Sequence, residues 1–299
     1  MQEIGRLLTA MVTPMDDEGK VDYAQARRLA QALVESGSHG VVVSGTTGEA
    51  PTLSDEEKVR LVREVKEALG HRGTVVAGTG TYDTAHSIEL SREAQKAGAD
   101  ALLLVVPYYN RPSQEGLYEH FRAIAQAVDI PCILYNIPGR TALNMTADTT
   151  IRLSQVDNII GVKEASGDLV QISRILAEAR QGFLVWSGDD ALTLPIMAVG
   201  GYGVISVTSH LVGGKMRAMM EAYLEGRVEE ARRLHLQLLP LMQALMTVAP
   251  NPCPIKWALN HVGFRVGRPR LPLVEPDPQG QERLRRELAR IQLDLKVPV

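Results

Sequence analysis

Eight short apolar runs punctuate the chain, at residues 7–12, 40–44, 74–77, 101–106, 132–135, 159–162, 183–186 and 203–207. They are rich in Val, Ile and Leu and do not alternate strictly with polar residues. That is the pattern of strands buried on both faces, which predicts parallel rather than antiparallel pairing. Longer amphipathic stretches lie between the runs, and several carry helix-start signals. Ser54-Asp55-Glu56-Glu57 reads as an N-cap followed by a glutamate three positions on, a capping box. Ser113-Gln114-Glu115-Gly116 and Thr146-Ala147-Asp148 read as helix starts too, and stops are expected at Ser36-Gly37, Leu69-Gly70 and Ala97-Gly98. Eight strand–helix units spaced roughly 25–30 residues apart are the arithmetic of a (β/α)8 barrel. A doubly wound open sheet, the rival α/β architecture, usually has fewer strands.

The pattern changes after the eighth unit. From residue 226 the chain reads as helical only, interrupted at Pro250-Asn251-Pro252 and over 268–278. The expected organisation is a (β/α)8 TIM-barrel catalytic domain over 1–225 and a C-terminal helical domain over 226–299. That appendage should contain about three helices and pack tightly, since no flexible linker precedes it. The tail beyond Pro276 receives no role.

Composition narrows the function classes. A net charge of −3 offers no electrostatic attraction to nucleic acid or an anionic membrane. The opening Met1-Gln2-Glu3-Ile4-Gly5-Arg6 lacks a signal peptide's basic-then-apolar order, and no apolar run approaches the roughly 18–20 residues of a membrane span. Cys132 and Cys253 form no disulfide framework, so a reducing cytoplasm is expected. The seven histidines show no ligand-type spacing, and no metal is expected. Asp189-Asp190 reads as a helix cap and Asp83 as lying near a helix start. Met216, Met219 and Met220 read as apolar filler.

Barrel enzymes carry their chemistry on the loops after the C-terminal ends of the strands. That rule selects Ser44-Gly45-Thr46-Thr47-Gly48-Glu49, Pro107-Tyr108-Tyr109-Asn110-Arg111-Pro112, Tyr135-Asn136-Ile137-Pro138-Gly139-Arg140, Val162-Lys163-Glu164-Ala165, Ser187-Gly188-Asp189-Asp190 and Ile205-Ser206. Lys163 stands out. A lysine set on the apolar run Ile159-Ile160-Gly161-Val162 would sit in or just above a packed barrel, where desolvation lowers a lysine pKa from about 10.4. A neutral amine so placed attacks a ketone to form a Schiff base. The alternative is a lysine that snorkels to solvent or pairs with Glu164. Tyr135, Tyr109 and Thr46 could form a hydroxyl chain that moves protons; their alternative is packing, with the hydroxyls at the surface. Arg140 could fork onto a carboxylate or simply be a surface arginine. The Gly45-Thr46-Thr47-Gly48 turn offers backbone N–H groups and hydroxyls that suit a carboxylate better than a polyphosphate, as the lysine of a phosphate-binding loop is missing. Gly78-Thr79-Gly80 lacks the third glycine of a dinucleotide fingerprint.

Taken in order, these stretches resemble the N-acetylneuraminate lyase superfamily of class I aldolases, and within it the dihydrodipicolinate synthases. The motifs are GTTGE at 45–49, PYYNRPSQEGLY at 107–118, YNIPGRT at 135–141, GVKEA at 161–165, SGDD at 187–190 and GVISV at 203–207, and the likeness runs from about residue 4 to about 275. The resemblance implies a lyase that joins pyruvate to L-aspartate 4-semialdehyde, on the route to diaminopimelate and lysine. It makes Lys163 the Schiff-base lysine, Tyr135 the proton relay above it and Thr46 the linking hydroxyl. Tyr109 becomes the residue that crosses a dimer interface into the neighbouring site. Thr47 would hold the pyruvate carboxylate, Ile205 and Gly188 would line the pocket, and Arg140 would receive the second substrate's carboxylate. No cofactor is implied beyond the covalent pyruvate imine on Lys163, and the assembly implied is a homotetramer of two tight dimers.

One stretch departs from the pattern. Lysine-inhibited bacterial relatives bind the effector ammonium with a glutamate, flanked by asparagine and histidine. Here His86 stands at the glutamate position, Tyr82 at the asparagine and Lys58 at a histidine. Two candidate cations and no carboxylate at His86 predict weak or absent feedback by lysine, with Asp55 as a nearby acid that argues the other way. The competing functions are another pyruvate-dependent aldolase, acting on N-acetylneuraminate, a 2-keto-3-deoxy sugar acid or 4-hydroxy-2-oxoglutarate, and a barrel that binds without catalysis.

Overall fold

The computed structural model describes residues 4–297. Eight parallel strands close into a barrel in sequence order, with β1 paired to both β2 and β8. They are β1 (Leu7–Ala10), β2 (Gly40–Val43), β3 (Thr74–Gly78), β4 (Ala101–Val105), β5 (Cys132–Asn136), β6 (Ile159–Glu164), β7 (Leu184–Ser187) and β8 (Gly203–Ser206). Each falls on one of the eight predicted runs. The barrel has two apolar layers. Leu8, Val42, Val76, Leu103, Ile133, Tyr135, Trp186 and Ile205 fill the lumen, while alternate residues such as Val41, Leu102, Leu134 and Val162 face the helices. A strand buried on both sides has no reason to alternate in polarity, which is why the runs read as continuous.

The helices α1 (Tyr23–Glu35), α2 (Asp55–Leu69), α3 (Thr84–Lys96), α4 (Gln114–Gln126), a single turn α5 (Pro138–Thr141), α6 (Ala147–Leu153), α7 (Leu169–Glu178), α8 (Thr193–Ala198) and α9 (Ser209–Leu224) follow their strands. The helix starts read from the sequence are capped. The Ser54–Glu57 capping box is formed in both directions, and the Asp83, Ser113 and Thr146 side chains accept from the N–H groups of His86, Gly116 and Thr149. Asp189 caps the short turn after β7 by accepting from Ala191 N, and burial, its largest influence, pushes its carboxyl up. At the helix stops Gly37, Gly70 and Gly98 take positive φ, which a side chain would oppose.

Among the described residues three helices follow residue 226: α10 (Val228–Thr247), α11 (Cys253–His261) and α12 (Pro278–Ala289). They are fastened to the barrel through polar contacts. Lys256 on α11 is fully buried and donates to Glu49 Oε1 at 2.7 Å, Arg268 O at 2.9 Å and Thr13 O at 3.1 Å. Arg270 places its guanidinium on Glu57 and the Thr52 carbonyl, and its N–H on Glu49 Oε2. The tail, given no role from sequence, has a structural one. Asp294 accepts from Lys215 Nζ at 2.6 Å and from Lys215 N at 2.8 Å, and donates its own N–H to Leu211 O. Among the described residues no helix is long and apolar enough to cross a membrane, and no cluster of three or more His, Cys, Asp or Glu could hold a metal ion.

Candidate active site

A cavity of about 240 Å³ opens above β2 to β5, walled by residues that include Ser44, Thr46, Gly78, Tyr108, Tyr135 and Arg140. Its floor owes its shape partly to Gly78, where a Cβ would come within 2.3 Å of the Ser44 carbonyl oxygen. Tyr135 and Lys163 are register partners on β5 and β6, and Lys163 is also the partner of Trp186 on β7. All three therefore project into the lumen. The Lys163 Nζ stands 4.2 Å from the centroid of the Tyr135 ring, and the residue is 5% exposed. Lys163 is not itself part of the cavity wall, whereas Tyr135, against whose ring its amine lies, is.

Both alternatives for Lys163 fail. A residue this buried is not snorkelling, and Glu164 points to the opposite side of β6, as neighbours on a strand must. There the Glu164 carboxyl accepts from Ser166 N at 2.9 Å, Asn136 Nδ2 at 3.0 Å and Gln171 Nε2 at 3.0 Å. Burial pushes the Glu164 carboxyl up, against the pull of those donors. Asn136 in turn accepts from Met145 N, so the strand ends that carry Tyr135 and Lys163 are braced from behind by one polar network.

The remaining candidates divide. Thr46 and Arg140 line the cavity. Thr47 and Ile205 do not. Thr47 is buried, with its Oγ1 accepting from Asn251 Nδ2 at 2.9 Å, and Ile205 is lumen packing beside Tyr135. Gly188 donates its N–H to Glu164 O at 2.7 Å, and a Cβ there would meet the Ala165 Cβ at 2.6 Å, so its place demands close packing of β6 on β7. Within one chain the expected hydroxyl chain is not formed. No side-chain hydrogen bond joins Thr46, Tyr135 and Tyr109, and Tyr109, at φ +74°, is 93% exposed and does not line the cavity. Of the adjacent pair it is Tyr108 that lines the cavity, beside Tyr135, packed edge-on against Tyr82 at 5.3 Å, its phenol pushed up by burial.

The sequence reading missed Ser44, Tyr108 and Asn251. Ser44 and Tyr108 lay inside stretches already selected, and only the turn geometry distinguishes them from their neighbours. Asn251 sits in what read as a helix break, and its backbone oxygen accepts from Arg140 Nη2 at 3.4 Å. On the flank of the barrel His86 Nε2 meets Asp55 Oδ2 at 2.6 Å, and Lys58 Nζ meets Asp55 Oδ1 at 3.1 Å. Burial pushes the Asp55 carboxyl up, but the hydrogen bonds from His86 and Lys58 outweigh it and hold it below the usual range.

A closed parallel barrel with a buried lysine at the end of β6 defines the class as (β/α)8, with its chemistry-bearing side chains at the C-terminal face. The sequence profile of the dihydrodipicolinate synthetase family matches residues 3–291, further along the chain than the motifs reach. A Moorella thermoacetica protein named 4-hydroxy-tetrahydrodipicolinate synthase is 59% identical over 280 residues, 94% of this chain and 96% of that one. A dihydrodipicolinate synthase of Bacillus anthracis superposes with a TM-score of 0.95 at 44% identity, covering 98% of this chain and 100% of that one. The enzyme of Cyanidioschyzon merolae, solved with lysine bound, gives 0.94 at 46% identity, with 96% and 98% covered. This chain belongs to the dihydrodipicolinate synthetase family.

Proposed function

We propose that the chain is a 4-hydroxy-tetrahydrodipicolinate synthase, a lyase that condenses pyruvate with L-aspartate 4-semialdehyde on the route to diaminopimelate and lysine. The observation that carries the reading is Lys163, buried against Tyr135 with no ion-pair partner among the described residues. Membership of the family and the names of the relatives support the choice of substrates. The barrel of residues 1–225 supplies the chemistry and the helices of 226–299 brace it.

In this reading the Lys163 amine adds to the pyruvate ketone and water leaves, giving a protonated imine. The imine withdraws electrons, a methyl proton departs, and the resulting enamine carbon attacks the aldehyde to form the new carbon–carbon bond. Tyr135 passes the protons, with Thr46 as the linking hydroxyl. Cyclisation or hydrolysis then breaks the bond to Nζ and frees the lysine. Thr47 holds the pyruvate carboxylate, Arg140 receives that of the second substrate, and Ile205 and Gly188 shape the pocket. Because the imine is itself the electron sink, the reaction calls for no metal or organic cofactor.

The exposure of Tyr109 supports its delivery to the site of a second copy, in a homodimer that pairs into a tetramer. The partners are then small-molecule substrates and further copies of the chain, not nucleic acid or membrane. Two buried, unpaired cysteines support a cytoplasmic location. The test is to supply the purified protein with both substrates and follow product, then treat it with borohydride in pyruvate alone. Product together with a trapped adduct on Lys163 is expected. An adduct without product would change the aldehyde, and no adduct would remove the aldolase reading.

A further inference from the structure

The Pro250-Asn251-Pro252 turn lies between α10 and α11, outside the barrel, yet Asn251 touches two groups at the barrel mouth. Its Nδ2 donates to Thr47 Oγ1 at 2.9 Å across 204 positions of sequence, and its backbone oxygen accepts from Arg140 Nη2 at 3.4 Å. Thr47 and Asn251 are both buried, 3% and 7% exposed, so water does not substitute freely for either partner.

The direction of the first bond matters. A hydroxyl has one proton to give and two lone pairs to receive with, whereas an amide NH₂ can only give. With Asn251 occupying a lone pair, the Thr47 proton is left for another acceptor, and among the described residues no second partner takes it. The turn is well placed to hold this orientation. Proline on both sides restricts its backbone, and Lys256 anchors the neighbouring Glu49 of the same barrel loop at 2.7 Å. The Asn251 Oδ1 is buried without a partner, so the contact that orients the amide is the donation to Thr47.

We propose that Asn251 is a positioning residue that fixes the Thr47 hydroxyl as a donor toward the pyruvate carboxylate; this rests on the reading of Thr47 as the carboxylate site. The C-terminal helices thereby set the polarity of a binding group on the barrel.

The experiment compares Asn251→Ala, Asn251→Asp, Thr47→Val and the Asn251→Ala/Thr47→Val double variant in the full chain. It measures the pyruvate concentration that half-saturates the borohydride-trapped Lys163 adduct, alongside KM and kcat with both substrates. Asn251→Ala should raise the half-saturating pyruvate about tenfold with a smaller change in kcat, the scale of one hydrogen bond to a charged group. Asn251→Asp is isosteric and keeps the packing, but it accepts the Thr47 proton and adds a negative charge, so it should be worse than alanine. In the Thr47→Val background Asn251→Ala should add nothing, because both act through one hydroxyl. Effects that multiply in the double variant, or an aspartate variant no worse than alanine, would overturn the proposal while leaving Thr47 in place. A Thr47→Val variant with unchanged pyruvate saturation would overturn the Thr47 reading and the proposal with it.

Discussion

Two lysines are buried among the described residues, and the chain surrounds them in opposite ways. Lys256, at the seam between barrel and C-terminal helices, directs its ammonium to one carboxylate and two carbonyl oxygens. Burial pulls its pKa down and Glu49 pulls it back up, with burial the larger influence. Lys163, in the lumen, has the face of Tyr135 beside it and, among the described residues, no hydrogen-bond or ion-pair partner for its side chain. A buried ammonium whose three donors are all engaged is a fastener. A buried lysine left without such partners suits the nucleophile proposed above, with the entering substrate completing its surroundings.

The comparison is broken most directly at Lys163. Lys163→Ala should lower kcat by about three orders of magnitude or more while leaving the unfolding midpoint close to that of the parent. Substantial turnover by the purified variant would remove the lysine from the chemistry. Lys256→Met should do the reverse. It strands the Glu49 charge in the interior, and chemical denaturation should report a loss of about 3–5 kcal/mol, with borohydride trapping at Lys163 preserved in the molecules that remain folded. Adding Glu49→Leu should restore part of that loss, since the uncompensated charge is gone; a further decline would mean the pair is a net stabiliser.

A third buried base sharpens the contrast. His210 at the start of α9 accepts from Val12 N on Nε2 at 3.1 Å, and its Nδ1 bonds to Val207 O at 2.8 Å, so the ring is held neutral. Burial pushes its pKa down to about 4, only partly opposed by the bond to Val207. Between that value and the unfolded one, near 6.5, the unfolded chain carries a proton that the folded chain refuses. Stability from this residue is complete above about pH 6.5 and is lost as pH falls toward 4, by roughly 1.4 kcal/mol per pH unit. Urea midpoints for the parent and His210→Gln at pH 7 and pH 5 should show a shallower pH slope in the variant, and equal slopes would clear His210 of the effect. The smallest effect expected is on the flank. Asp55 is already taken by Lys58 and His86, so sub-millimolar L-lysine should leave the rate within about a factor of two. Stronger inhibition would show that the effector displaces those partners.

What could be read in the sequence follows the range of the interaction. The strands, the capping box at Ser54–Glu57 and the glycine stops are set by neighbours within a few positions, and each lies where the pattern put it. Lys163 was legible because an apolar strand frames it. Lys256 was not, since its meaning comes from Glu49, 207 positions away. The Glu49 of the GTTGE motif looked like part of a substrate loop, yet its carboxylate binds the C-terminal helices, and Thr47 meets Asn251 across a similar distance. Tyr109 shows a different limit. Its exposure has no account within one chain, and the proposed delivery to a second copy could not be read from the pattern of one chain.

Closure of the barrel has a consequence for how the chain is made. Leu8 on β1 pairs with Ile205 on β8, so one side of β1 stays unpaired until nearly 200 further residues have been synthesised. At about 5–20 residues per second that interval is roughly 10–40 s, far longer than the microseconds in which local hairpins form. During it the first strand presents an open hydrogen-bonding edge to every neighbouring nascent chain. The pace of synthesis, rather than the stability of the finished barrel, therefore sets the period in which the first strand is most exposed to misassembly.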